Sequence, residues 1–289
     1  MSIQVNVDPT NPGEFFACCG LLELADRLHP GAEGFFRGDT FQLETQASMS
    51  SLMDQLVNCE LTNTMTSCQW TRLQGLTRMK KNERGKTPGL EEEKKELEKL
   101  RRESPIVLGA PLGLRIDWFT DDQAGGSRFK TWAGQQSVFD ITTKMKDALT
   151  NSVWRTTDPQ EWLNCSICDC GLPFNFDSNL GGQGSALDVG FSFDPLAASD
   201  ATRIAPTARP LLELLGFIAL QRFRPQQIQN ENRYAYSLWT APFLPETACA
   251  AACGVLPTPN NRSFEFRLLY RTQYLKSFLP AIPTGGSNE

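Results

Sequence analysis

Histidine is nearly absent from this sequence: His29 is the only one in 289 residues. Imidazole is the side chain that most often moves protons near neutral pH, so general-base chemistry has a single candidate. His29 stands just before Pro30, where a helical pattern ends, and a C-terminal cap suits it better than catalysis. The motifs HExxH, GxSxG and GxxxxGK[ST] are missing too. Gly181-Gly-Gln-Gly-Ser185 is rich in glycine but lacks the lysine of a phosphate loop, and it reads as a turn. Carboxylate pairs such as Asp121–Asp122 and Asp188/Asp194 lack the spacing of a metal or hydrolase site. No catalytic residue is therefore expected. Long apolar runs are also lacking: nothing approaches the roughly 18 residues that a membrane span needs, and the mean hydropathy is −0.33. The opening Met-Ser-Ile-Gln-Val-Asn-Val-Asp has no signal-peptide pattern, so a cytoplasmic protein is expected.

Cysteine is not scarce. There are nine, an odd number without an export signal, which favours reduced thiols. Cys165, Cys168 and Cys170 lie close enough to hold zinc if Cys249 or Cys253 supplied a fourth ligand. The second CxxC pair of such sites is missing, and cysteine is a common small core residue, so neither metal nor cofactor is expected. Hydrophobic residues make up 40% and charged residues 21% of the chain, an ordinary globular balance. That suits one large domain or two closely packed halves.

The net charge of −5 conceals an asymmetry. Residues 1–200 carry a balance of −9 and residues 201–289 a balance of +4, and eight of the nine basic groups in the latter are arginine. Guanidinium forks match phosphate oxygens, which points toward nucleic acid. The alternative is that these arginines pair with the acidic first two-thirds, and charge alone does not choose.

Ile3, Val5 and Val7 alternate with polar residues as in a half-buried strand. A helix over 12–28 follows, with Asn11 as N-cap, Pro12 at its first position and Glu14 completing a capping box. Residues 48–60 read as a second amphipathic helix. Residues 80–104 hold nine basic and seven acidic groups, and read as a surface loop leading into a solvated helix. Glu91–Lys95 and Glu98–Arg102 are its expected i,i+4 pairs. Strands are expected at 112–118, 187–193 and 234–238, and over Phe264–Arg271. A helix opened by Ser137 and a buried helix at 211–220 complete the pattern. Strands with one polar face argue for antiparallel sheet, so the expected class is α+β, with irregularly inserted helices. Gly20 and Gly216 occupy matching places in two similar helices, a pattern consistent with a duplicated unit.

The clearest nucleic-acid candidate is Arg128-Phe-Lys130-Thr-Trp132-Ala-Gly-Gln135-Gln136-Ser137, which sets a cation, an aromatic ring and amides before a helix N-terminus. Lys130, Trp132, Gln135 and Gln136 are the candidate contacts there, unless Trp132 plugs the core. Arg222 and Arg224, after the buried helix, are further candidates, although arginine there is also ordinary capping. Arg267 and Arg271 are the last two, sharing the polar face of the final strand.

Several segments resemble a subunit family of type I-U (also called I-G) CRISPR-Cas systems. They are Asn11-Pro-Gly-Glu-Phe-Phe-Ala-Cys-Cys-Gly-Leu-Leu-Glu-Leu-Ala25, Lys130-Thr-Trp-Ala-Gly-Gln-Gln136 and Leu187-Asp-Val-Gly-Phe-Ser-Phe193. Arg209-Pro-Leu-Leu-Glu-Leu-Leu-Gly216, Leu220-Gln-Arg-Phe-Arg-Pro225 and the stretch from Phe266 to Phe278 are similar to the same family. The resemblance implies a Cascade subunit of the large-subunit type, which helps bind guide RNA and target DNA. Large subunits elsewhere are usually bigger and carry a helical bundle, for which this length leaves little room. In such ribonucleoproteins base pairing reads sequence, while protein reads backbone shape and a short flanking motif. The implied partners are guide RNA, target DNA, other Cascade proteins and a recruited nuclease-helicase. Two other classes compete: a metal-dependent nuclease built on paired carboxylates, and a protein-only scaffold.

Overall fold

Asn11 determines where the central helix begins. In the computed structural model, strand β1 (Ser2–Asn6) leads through a turn into helix α1 (Pro12–Leu28), and the Asn11 side chain accepts a hydrogen bond from Gly13 N at 3.0 Å. Pro12 occupies the first helical position, where its missing N–H costs nothing. Glu14 does not close the expected capping box. The Asn11 N–H donates instead to Asp8 O at 3.0 Å, while Glu14 Oε2 accepts from Asp8 N at 2.6 Å and its Oε1 from Arg209 at 2.7 Å. The structure describes residues 2–80, 84, 87–132, 136–179, 207–228, 232–271 and 274–284. The expected strand at 187–193, the glycine-rich turn at 181–185 and Gln135 lie outside the described residues.

Strands β2 (Glu33–Arg37) and β3 (Thr40–Glu44) complete a three-stranded sheet in the order β1-β3-β2. Next come α2 (Met49–Asn58), β4 (Leu61–Asn63), α3 (Ser67–Arg78), α4 (Leu90–Glu103), β5 (Ile106–Leu108) and β6 (Leu114–Ile116). The expected strand over 112–118 is cut short at Ile116. Trp118 opens a 3-10 turn that buries both Trp118 and Phe119. Helix α5 (Val138–Ala148) starts at Ser137, whose hydroxyl accepts from Asp140 N. After the pair β7 (Ile167–Cys168) and β8 (Thr207–Ala208), α6 (Pro210–Ala219) is buried along its whole length. The last described elements form a five-stranded sheet of β9 (Gln226–Gln227), β10 (Arg233–Leu238), β11 (Arg262–Arg271), β12 (Tyr274–Phe278) and β13 (Ile282–Thr284), with α7 (Pro245–Ala252) between β10 and β11. Every strand pair among the described residues is antiparallel, and the class is α+β. Buried apolar side chains form one core running from Ile3 to Ala281.

The charged insertion is docked rather than merely solvated. No residue of α4 is buried, yet Arg72 of α3 holds Glu93 at 2.6 Å, Arg84 holds Glu91 at 2.9 Å and Arg101 bridges to Asp140 of α5. The i,i+4 pair formed on α4 is Lys94–Glu98, not the two expected. Glu91 and Glu98 are drawn to Arg84 and Lys94.

Helices α1 and α6 run side by side in the same direction: Glu14 meets Arg209 at their N-terminal ends, and Glu23 meets Arg222 beyond their C-terminal ends. Gly20 makes the approach possible, since a Cβ there would sit 2.0 Å from Leu215 O. Gly216 serves a different end, leaving room for the Phe176 ring. The two matching glycines therefore have unlike roles. Gly20→Ala should force the helices apart and cost about 3 kcal/mol or more by chemical denaturation. Gly75→Ala, in α3 with nothing within 4 Å of the new Cβ, should instead gain about 0.5 kcal/mol.

Arg209 ties these helices to the rest. Its Nε donates to Asp177 Oδ2 at 2.6 Å and its Nη1 to Glu14 Oε1 at 2.7 Å and Asn164 Oδ1 at 3.0 Å. Asn11 donates to Asp177 at 2.8 Å, and Glu213 accepts from Phe176 N and Asp177 N. Burial, reinforced by the charge of Asp177, pushes the Glu213 carboxyl up to about 8. The folded state thus holds a proton that the unfolded chain releases near pH 4.5. Stability should fall as pH rises from about 4.5 to about 8, by at most ~1.4 kcal/mol per unit, and level off above. Glu213→Gln should remove that slope, as read from unfolding free energies of both proteins at pH 5 and pH 8.

Candidate nucleic-acid interface

Strand β11 separates its residues as the alternation predicts. Phe264, Phe266 and Leu268 face the core, while Ser263, Glu265, Arg267 and Leu269 lie on the other face. The register sets Arg233 of β10 directly across from Arg267, and Ala235 across from Glu265. Arg233 grips Glu265 with both arms of its fork, Nη2 reaching Oε2 at 2.7 Å. That hydrogen bond, with the nearby charges of Arg233 and Arg267, holds the Glu265 carboxyl below its usual range. Arg267 is exposed and forms no ion pair among the described residues. Two guanidiniums on one cross-strand pair would repel, and Glu265 offsets about half of their charge. The remaining positive fork points from a rigid sheet and can take a phosphate oxygen. Gln226 of β9, across from Ala235, extends this polar face.

The other candidates are distributed differently. Trp132 is a core residue: it is 4% exposed, with Trp118, Phe119 and Phe174 rings at 5.8, 5.5 and 5.3 Å. This corrects its expected place in a stacking platform, because a ring packed on several sides has no face left for a base. Lys130 sits 5.8 Å from the Trp132 ring centroid, and burial lowers its pKa. Gln136 is half-buried and engaged within the fold. Arg222 pairs with Glu23 at 2.7 Å and Glu246 at 2.9 Å, and Arg224 pairs with Asp121 at 2.7 Å. Both are corrected from phosphate contacts to internal ties. A carboxylate already held at hydrogen-bond distance competes directly with phosphate. The strand pairing of Arg271 with Tyr274 extends β11, but its side chain lies outside the described residues.

Arg233 was not singled out from the sequence. Its signal was the same period-2 pattern that marked Tyr234, Tyr236 and Leu238, read on the opposite face. The cysteines do not converge either. Cys165 is buried, Cys168 is exposed, and burial raises the Cys170 thiol to about 11. Among the described residues no group of three or more His, Cys, Asp and Glu is arranged to hold a metal ion. No helix among them is long and apolar enough to cross a membrane. No protein-family model matches the chain, and no curated protein matches it.

These arrangements separate the arginines by their expected effect on stability. Arg222→Ala leaves Glu23, whose side chain is 5% exposed, with only Arg27 as a partner, and should cost about 1–2 kcal/mol. Arg267→Ala should cost within about 0.5 kcal/mol, as a surface change does. Thermal or denaturant unfolding of the two variants checks the contrast.

Proposed function

We propose that this chain is a non-catalytic subunit of a CRISPR RNA-guided surveillance complex acting in antiviral defence, where it contributes to binding guide RNA and target DNA. The observation that carries the reading is the exposed side chain of Arg267, set opposite Arg233 across the strand pair. The resemblance of segments spread from Asn11 to Phe278 supports the same assignment. On this reading the complex is a cytoplasmic ribonucleoprotein, the acidic surface of the first 200 residues meets neighbouring Cascade proteins, and a recruited nuclease-helicase does the cutting. Reading of the flanking motif and recruitment of that enzyme belong to the same proposal.

A second reading, the protein-only scaffold, draws support from the ion pairs of Arg209, Arg222, Arg224 and Arg262, all made within the chain. Salt titration of target-duplex binding by the assembled complex distinguishes the two. Phosphate contacts release counterions, so Arg267→Ala should weaken binding alike at all sequences and lower the slope of log K against log salt by about one. The double change Arg267→Ala and Arg271→Ala should lower it by about one to two. An unchanged slope in both variants rejects the nucleic-acid role of this face and leaves the scaffold. Mg²⁺-dependent cleavage of labelled DNA by the purified chain, abolished by a single Asp→Ala change, would favour the nuclease instead.

A further inference from the structure

The end of α7 brings two half-buried thiols together. Cys249 is on the last turn and Cys253 is the C-cap, where the Cys253 N–H closes onto Cys249 O at 3.0 Å. Side chains four residues apart on a helix lie on one face, which sets these two thiols beside each other. Each also donates to a carbonyl of the turn after α6: Cys249 Sγ to Arg222 O at 3.1 Å, and Cys253 Sγ to Arg224 O at 2.7 Å. The surroundings are electropositive on one side, from Arg222 and Arg224. The neighbouring Cys253 thiol, with those two guanidiniums, lowers the Cys249 thiol below its ordinary value against burial and the Glu23 carboxylate, while the same pairing and burial raise Cys253. In the proposal that follows, Cys249, beside the Arg222 guanidinium, is the attacking thiol and Cys253, at the C-cap, the resolving one. Neither thiol is used by the proposed nucleic-acid face.

The geometry permits closure. Residues i and i+4 of a helix have Cα atoms about 6 Å apart, within the range that a disulfide spans, while their Cβ atoms must draw together by about 1–2 Å. That movement falls at a helix end. Cys253 already has φ −85° and ψ 5°, and Gly254 follows at φ +71°, so the last turn can tighten without unwinding the helix interior. We propose that Cys249 and Cys253 form a redox-active dithiol, a modification site that hydroperoxides close to an intramolecular disulfide.

The chemistry balances. The Cys249 thiolate attacks a peroxide oxygen and the O–O bond breaks, leaving a sulfenic acid at Cys249 and releasing hydroxide that takes up a proton as water. The Cys253 sulfur then attacks the Cys249 sulfur. The S–S bond forms, the S–OH bond breaks, and the thiol proton leaves with the hydroxide as a second water. Two electrons pass from the dithiol to one peroxide. Closure removes both S–H donors from Arg222 O and Arg224 O, which loosens the turn that presents Arg222 to Glu23 and Arg224 to Asp121.

The folded chain, treated with increasing hydrogen peroxide and then alkylated, reports each thiol separately by peptide mass. Cys249 and Cys253 fall in one tryptic peptide, since no Lys or Arg lies between Arg233 and Arg262. That peptide should become lighter by two hydrogens and lose both alkylation sites before the exposed Cys68 and Cys168 react. Cys253→Ser should strand the sulfenic acid at Cys249, where dimedone traps it, and Cys249→Ser should leave Cys253 reduced. Oxidation of Cys68 and Cys168 while the 249–253 peptide stays fully alkylated would overturn the proposal in the unaltered protein, whatever the variants do. Absence of a trapped adduct in a folded Cys253→Ser protein would overturn it as well.

Discussion

One buried guanidinium, that of Arg209, decides how distant parts of the chain meet. It collects Glu14 from the start of α1, Asn164 from the middle of the chain and Asp177 from the segment packed over both helices. A charge taken this far from water is tolerated only when its partners surround it, and removing any one strands the rest. The positive ends of two parallel helices converge on the same place, which further favours carboxylates there. Glu213 shows the limit of that arrangement. One arginine and two helix ends do not hold three carboxylates ionised, so burial leaves Glu213 carrying a proton. The parallel course of α1 and α6, the contact at Gly20 and the position of β1 all depend on this junction being complete.

The same principle organises the charge asymmetry of the chain. The basic last third folds back onto acidic partners earlier in the sequence: Arg222 onto Glu23, Arg224 onto Asp121 and Arg262 onto Asp39. A surplus of arginine in one segment therefore says little about external ligands until these ties are subtracted. Arg267 remains after that subtraction because its strand neighbour Arg233 has already engaged Glu265. Among the described arginines of that last third, it leaves Arg267 as an exposed guanidinium with no ion pair.

What could be read from the sequence follows the range of the interactions involved. β1, α1, α6 and β11 were legible because their signals are local: period-2 alternation, an Asn–Pro start, a run buried all round. Strands β2 to β5 were not, since their short runs acquire meaning only through pairing with strands elsewhere. Trp132 could not be placed from its neighbours in sequence, because Trp118, Phe174 and Phe217 surround it from other parts of the chain. Arg222 and Arg224 read equally as contacts or caps until Glu23 and Asp121 arrived beside them. Arg267 was legible because strand geometry alone puts it opposite Phe266 and Leu268. The expectation for Glu14 failed more instructively: the turn before α1 ties the Asn11 N–H to Asp8 O, and the carboxylate turns to Asp8 N and to Arg209, 195 residues away.

A sheet face is a suitable place for the charge that remains. Side chains on adjacent strands are held about 5 Å apart by the backbone ladder, so little entropy is lost in aligning them with a ligand. Glu265 engages Arg233, while Arg267 at the same register position is exposed and makes no ion pair among the described residues. On the proposed reading, such a pair would meet the charge of a phosphate backbone, with Gln226 of β9 on the same face beside it. The same proposal has sequence read by base pairing while protein holds the backbone. In an assembly of several subunits, each chain needs to hold only a short stretch of backbone, and the rest of its surface is free to meet protein.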